Sequence, residues 1–417
     1  MIRVRNFALA SALALGFVSG TVAVVTPVTA VHAAEQNKIT TRAVATAMKA
    51  AQEAMAAKQW DKALTEIKKA EAVEKKTAFE SYQIDEFLGY VLIQQKKYGE
   101  AAQVYERSLN SGMMPADQID DRTKTLATLY FQLKNYPKSL EWSRKALERR
   151  PGQQDMGQMV AQSHYLLKEY PQAAEAMTKV VRQAEKAGKK PDENWLQIIL
   201  SSHFNAKNEA GIAAALRDIV RYYPTPEYWT NLLDISRRST RDDKLSLGYY
   251  RLMEEVGALK DKGEIVEMAQ LAIDAGVPGE AERIVEKAVQ AGVLKSDDKA
   301  EQGRFDRLLA GAKKAAAADR ASLQQLAQEA EKSSRGQVDV GLGDAYLSYG
   351  QYDQAIAAIE KGLKKGDVLD VDDAQILLGI AHFRKGQKDE ARKAFQAVKE
   401  GSKWADLASL WVLRTRS

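Results

Sequence analysis

One fourteen-residue pattern recurs along this chain, and it constrains the fold more than any other feature. KQWDKALTEIKKAE begins at residue 58, KKYGEAAQVYERSL at 96, KNYPKSLEWSRKAL at 134, KEYPQAAEAMTKVV at 168 and GQYDQAIAAIEKGL at 350. Aligned on the aromatic (Trp60, Tyr98, Tyr136, Tyr170, Tyr352), each copy has a small residue three positions on: Ala63, Ala101, Ser139, Ala173 and Ala355. The first four aromatics are separated by 38, 38 and 34 residues. A period in the thirties predicts a solenoid made from one supersecondary unit. Upstream of each aromatic lies a second apolar set at helical spacing, such as Leu88, Gly89 and Leu92, or Leu126, Ala127 and Tyr130. Each unit therefore reads as two helices.

Turn chemistry agrees with this division. The residue after the aromatic is Asp61, Pro137, Pro171 or Asp353, types suited to the first turn of a helix. Helix exits are marked by Gly112 with Pro115, Pro151 with Gly152, Gly188 with Pro191, and Pro224 with Pro226. Small residues sit where two helices must approach closely. The expected repeat-packing set is Trp60, Ala63, Gly89, Tyr98, Ala101, Tyr130, Tyr136, Tyr170, Ala173, Tyr346, Tyr352 and Ala355. Burying one large apolar side chain contributes about 1.5–3 kcal/mol, against about 1–2 kcal/mol to order each residue's backbone. A single pair cannot stand alone, so stability must come from stacking successive pairs.

The segments FLGYVLIQQKKYGEAAQVYERSL from Phe87 and LATLYFQLKNYPKSLEWSRKALERRP from Leu126 to Pro151 resemble the tetratricopeptide repeat nearly throughout. Fainter copies follow around 194–289, and clear ones return at LGDAYLSYGQYDQAIAAIEKGL and LLGIAHFRKGQKDEARKAF, so the resemblance covers about residues 44–400. It implies an all-α, right-handed α-solenoid of about nine to ten helix pairs. Two places depart from the pattern. Residues 296–335 are Ala-rich and hold the spacing poorly, reading as a degenerate repeat or a spacer. The chain ends in KWADLASLWVLRTRS, an amphipathic segment expected to cap the last unit. The expected organisation is thus a signal peptide over 1–33, an N-terminal array over 34–295, the irregular stretch 296–335, and C-terminal pairs with the capping helix over 336–417.

The signal is read from Arg3 and Arg5, the apolar run from Phe7 to Val25, and the small residues Val31-His32-Ala33 before Ala34. It predicts export to a bacterial periplasm and, once cleaved, no stable membrane insertion; an uncleaved anchor is the alternative. Cysteine is absent, which excludes disulfides, thiol redox chemistry and a lipoprotein anchor. Residues 1–33 hold two Arg and no acid, so their removal takes the formal net charge from +5 to +3, too mild to suggest nucleic acid.

No catalytic constellation is found. The four histidines are His32, in the signal, and His164, His203 and His382, each at the repeat position that Tyr130 and Tyr346 occupy elsewhere. They read as packing substitutes for tyrosine. There is no HxxxH, G-x-S-x-G or GxxxxGK[ST] motif, and acidic pairs such as Asp242–Asp243 and Asp372–Asp373 read as helix starts. No catalytic residue, metal site or cofactor is expected.

In tetratricopeptide repeat proteins the first helix of each pair lines a concave surface that holds a protein segment. Mapped onto this chain, that surface offers Tyr90, Gln94, Phe131, Gln158, Gln162, Tyr165, Gln197, Phe204 and Asn205. Amides can satisfy peptide backbone groups while rings pack on apolar or proline side chains. The same rings could instead fill space between adjacent units. A carboxylate clamp is not expected, because Lys124 is accompanied by Thr125 and Thr128 rather than by the family's clamp residues. The chain also resembles exported repeat proteins associated with TonB energy-transduction systems. That resemblance implies a non-enzymatic periplasmic scaffold whose partners lie in the cell envelope and include TonB-system components. The alternatives are a scaffold for outer-membrane or peptidoglycan assembly, or a ligand carrier or enzyme, which a filled cavity or a buried charged cluster would support.

Overall fold

The structure, a computed structural model, describes residues 38–416. The expected signal peptide, 1–33, lies outside these described residues. Among them there are twenty helices and no strand, and the chain divides into two compact units, Met1–Ala215 and Leu216–Ser417.

The first unit is a succession of pairs: α1 (Arg42–Ala56) with α2 (Trp60–Glu71), α3 (Ala78–Gln94) with α4 (Tyr98–Asn110), α5 (Ala116–Gln132) with α6 (Tyr136–Arg149), and α7 (Gln154–Leu166) with α8 (Tyr170–Lys186). α9 (Glu193–Asn205) and α10 (Glu209–Tyr222) follow, the division between units falling within α10. One turn recurs inside every pair. Lys58, Lys96, Lys134, Lys168 and Lys207 adopt a left-handed backbone with φ between 54° and 62°. The next residue's N–H then donates to the carbonyl five positions back: Gln59 to Ala54, Lys97 to Leu92, Asn135 to Tyr130, Glu169 to His164 and Asn208 to His203, at 2.8–2.9 Å. This hydrogen bond closes the first helix and aims the chain back along it. In the second unit, Gly276, Gly350 and Gly386 take the same place, with φ between 72° and 88°.

The aromatic opens the second helix of each pair, and the small residue three positions on lies in the contact between helices. Ala63, Ala101, Ala173 and Ala355 are wholly buried. Where Ser139 replaces alanine, its hydroxyl donates to the Ala127 carbonyl at 3.0 Å, so the polar atom is satisfied. Gly89 serves a different contact: a Cβ there would lie 2.2 Å from the Tyr105 ring. One continuous apolar core runs from Val44 in α1 to Met159 in α7.

The second unit contains α11 (Pro226–Arg238), α12 (Asp243–Glu255), the pair α13 (Lys262–Asp274) and α14 (Pro278–Gln290), and α15 (Lys299–Lys332). Then come the pairs α16 (Gly336–Ser348) with α17 (Tyr352–Lys365) and α18 (Val371–Arg384) with α19 (Lys388–Gln396), and finally α20 (Ala405–Thr415). The Ala-rich stretch 296–335 is occupied by α15, one helix of 34 residues that packs on α14 and then on α16. α20 buries Leu407, Leu410 and Trp411, and Trp404 beside it is buried too. The Trp411 ring stacks on Phe395 of α19 at 5.3 Å and meets Phe383 of α18 edge-on at 5.6 Å.

Candidate functional site

In the first unit, α3, α5, α7 and α9 are the first members of their pairs, and α5 with α7, and α7 with α9, lie side by side. The predicted groove residues fall on these helices. Tyr165, at the end of α7, and Ser201 on α9 share a hydrogen bond between their hydroxyls at 2.7 Å. Asn205, one turn on, donates through Nδ2 to the Ser201 carbonyl at 2.8 Å and lies 3.5 Å from the Tyr165 hydroxyl. Tyr165, Ser201 and Asn205 thus form one polar cluster across two repeats, with the Phe204 ring, 39% exposed, beside it. Gln197 donates to Glu193 at 3.3 Å, Gln158 and Gln94 are half-buried, and Gln162 is buried.

Three predicted groove rings lean on the opening aromatic of a second helix. Tyr90 meets Trp60 at 6.0 Å, Phe131 meets Tyr136 at 5.6 Å and Tyr165 meets Tyr170 at 5.5 Å, all edge to face. Phe131 is buried, whereas Tyr90 and Tyr165 keep part of their surface open.

Sequence reasoning did not find the ionic groups among these helices. Lys124 of α5 reaches Asp155 of α7 at 3.4 Å. Deeper, the buried Arg122 pairs with Glu86, and its guanidinium lies 3.6 Å from the centre of the Tyr105 ring. Burial pushes the Tyr105 phenol up to about 12, with Arg122 opposing the shift. Glu86 and Arg122 stand 36 residues apart; only a relation between adjacent repeats could have linked them.

The three described histidines share one arrangement. His164 and His382 are buried and His203 is half-buried, as in the ring positions of sister repeats. Yet each Nδ1 also faces the residue five positions on: Glu169 at 2.5 Å, Asn208 at 3.3 Å and Gln387 at 2.7 Å. At His164 the Arg144 guanidinium, which can only donate, lies 3.0 Å from Nε2, so Nδ1 carries the proton and donates to Glu169. Burial lowers the His203 pKa. Among the described residues, no group of three or more His, Asp or Glu side chains is placed to hold a metal ion.

In the second unit, α12 is buried over Leu245 and then from Leu247 to Met253, a run too long for a helix with one wet face. Side chains of α14, α16 and α18, with α20 and the residues before it, surround it. Arg251 donates to Glu280 at 2.8 Å and to Asp344 at 2.9 Å, and Arg384 also reaches Glu280 at 3.3 Å. Arg283 donates to Glu254 at 2.8 Å, and Lys244 approaches Asp373 at 3.5 Å. On the α20 side, Tyr249 donates to Asp406 at 2.9 Å, while Leu407 packs where a Cβ on Gly248 would lie, 2.5 Å away. Burial would raise the Glu280 carboxyl, but Arg251 and Arg384 outweigh it and hold the group down at about 2. Asp373 is driven the other way: burial, then the nearby Asp344, push it up to about 6.

Residues 48–116 and 340–403 match the family model described as Tetratricopeptide repeat. No curated protein matches the chain. Among solved structures, the chain is 13% identical to a tetratricopeptide repeat protein from Parabacteroides merdae, over 90% of this chain and all of that one, with a TM-score of 0.33. It is 16% identical to YrrB, described as a TPR protein with an unusual peptide-binding site, over 44% of this chain and 93% of that one, with a TM-score of 0.33. It is 14% identical to MamA from Desulfovibrio magneticus RS-1, over 48% and 99% respectively, with a TM-score of 0.31. These overlaps are too loose to transfer any property. The paired helices, their repeated turn and the two matched segments make this an all-helical protein that carries tetratricopeptide repeats.

Proposed function

We propose that the protein is a non-enzymatic scaffold of the bacterial cell envelope that binds a protein segment on the α7–α9 face of its first unit. The observation that carries this reading is the Tyr165–Ser201–Asn205 cluster, with the exposed Phe204 three residues after Ser201 on the same helix. It joins hydrogen-bonding groups that can meet a peptide backbone to a ring that can pack on an apolar or proline side chain. In the second unit, side chains of α12 engage acids of α14, α16, α18 and α20. The buried charged cluster there is what a carrier or enzyme would call on. Its cations and acids are paired internally and hold α12, which favours a scaffold.

In this reading the protein is exported through the signal over 1–33 and works in the periplasm. Its partner is a component of a TonB system, whose proline-rich periplasmic segment suits an aromatic and amide surface. The test is site-specific photo-crosslinking in cells, with the crosslinker at Phe204 or Gln158 and, as a control, at Lys145 on the outer helix α6. A discrete adduct from the first two positions, absent from the third, is expected, and mass spectrometry of it names the partner. An adduct with outer-membrane or peptidoglycan assembly machinery would replace the TonB assignment. Equal labelling from all three positions would overturn the binding face itself.

A further inference from the structure

We infer that the turn edge of the first unit docks the protein peripherally on an anionic lipid surface. Lys58, Lys96, Lys134, Lys168 and Lys207 are exposed, and among the described residues none makes an ion pair or a side-chain hydrogen bond. Each occupies the left-handed position of its turn, where the Cβ of an L-residue is crowded and glycine or asparagine is favoured. The second unit uses Gly276, Gly350 and Gly386 at the same position. The turn itself therefore does not require lysine. The first unit retains the charge five times in succession against the preference of the backbone, and strain kept in a regular array points to function.

Stacking repeats sets successive turns on the order of 10 Å apart along one edge, so the five ammonium groups form a row. Acids on the same turns are fewer; one of them, Asp61, accepts from Gln95 Nε2 at 2.8 Å. At one end of the row an open concavity of about 680 Å³ is lined by Lys58, Lys62 and Lys97, with one acid, Asp61, around Trp60. The five lysines are exposed at turns rather than set in a groove, which suits an extended anionic surface better than a bound acidic peptide. A half-buried tryptophan among lysines also suits the level of lipid headgroups, where an amphipathic ring and snorkelling cations are both favoured. A bilayer rich in phosphatidylglycerol is the surface we assign.

The test is co-sedimentation of the full chain with vesicles of phosphatidylcholine alone or mixed with phosphatidylglycerol, beside a variant carrying Lys→Gly at all five positions. Glycine removes charge while relieving the backbone, so the variant should melt no lower than the parent. Tighter binding to the mixed vesicles than to phosphatidylcholine alone, by a margin that salt reduces, is expected, with a loss of about fivefold in affinity for the mixed vesicles for each lysine removed. The apolar stretch 7–25 is common to both chains and cancels in the comparison. As a control, K145Q with K179Q, which removes two exposed lysines from outer helices, should leave vesicle binding unchanged. Equal binding by parent and five-glycine chains, an equal loss in the control, or binding of polyglutamate without binding of the mixed vesicles would each overturn the proposal.

Discussion

A methyl group at Gly336 would fall 2.0 Å from the carbonyl oxygen of Gly362 and 2.4 Å from that of Gly366. Both are backbone atoms, and the Gly336 N–H donates to the Gly366 carbonyl at 2.8 Å, so neither helix can yield without breaking that contact. Gly336→Ala is therefore expected to cost about 2–3 kcal/mol in urea unfolding, the upper part of the range for overpacking. Gly89, Gly343 and Gly379 face side chains sixteen residues on, Tyr105, Ile359 and Phe395. Glu80 shows the same dependence on a few atoms. Its carboxylate accepts from the Thr40, Thr41 and Thr77 N–H groups at 2.7–2.8 Å, while Thr77 caps the helix in return. Burial would raise this carboxyl, but the donors from Thr41 and Thr77 outweigh it and hold it at about 2. A lowered carboxylate stabilises above its unfolded value and loses that contribution as pH falls through the folded one. Amide protection at Thr40 and Thr41 should thus fade between about pH 4.5 and 2, and at neutral pH Glu80→Gln, which keeps an acceptor oxygen but loses the charge, should reduce it. Protection unchanged in the variant would show that the link is not held by the charge.

At the scale of one element, α12 shows how a buried polar helix is tolerated. Its arginine is matched by acids from two other helices, and removing one member would leave the rest uncompensated. Asp373 is the member least well served. Lys244 is its closest cation, at 3.5 Å, and Asp344 repels it; Arg251 helps from further off and Asp370 adds to the repulsion. Its folded pKa, about 6, lies above the usual carboxylate range, so protonation favours the fold. That contribution is complete below about pH 4 and is lost as pH rises through 6. Asp373→Asn is expected to stabilise the protein at pH 7–8 by up to about 3 kcal/mol, less what the Lys244 contact returns, and to have little effect near pH 4. Thermal melts of both chains across this range check the sign. A variant that is less stable at pH 8 would mean that the Lys244 pair dominates.

For the whole molecule, the division into two compact units makes a separate statement about cooperativity. Trp411 is wholly buried, stacked on Phe395 and edge-on to Phe383, all within the second unit. Trp411→Ala should cost that unit about 3–5 kcal/mol. If each unit opens as its own cooperative block, hydrogen exchange will quicken over residues 243–415 and stay unchanged over 42–186. Uniform quickening along the chain would instead mean that the two unfold as one.

The sequence by itself determined the local plan, because the plan is periodic. An aromatic after a turn, a small residue three places on and a second apolar helix behind them repeat often enough to exclude alternatives, and the structure has paired helices at those places. The histidines are legible as ring positions, but their Nδ1 partners five residues on, Glu169 and Gln387, are set by the turn that follows each helix. Tertiary structure alone decided what crosses between repeats. Tyr165 meets Ser201 36 residues away, Arg251 meets Asp344 across 93 and Tyr249 meets Asp406 across 157. Periodicity marks which face of a helix is apolar, but α12 carries the charged Arg251 inside a run buried from Leu247 to Met253. Nothing local distinguishes such a helix from one more member of a pair. Only its enclosure by α14, α16, α18 and α20 shows where its charges are answered, since a buried charge is tolerable only where distant residues converge on it.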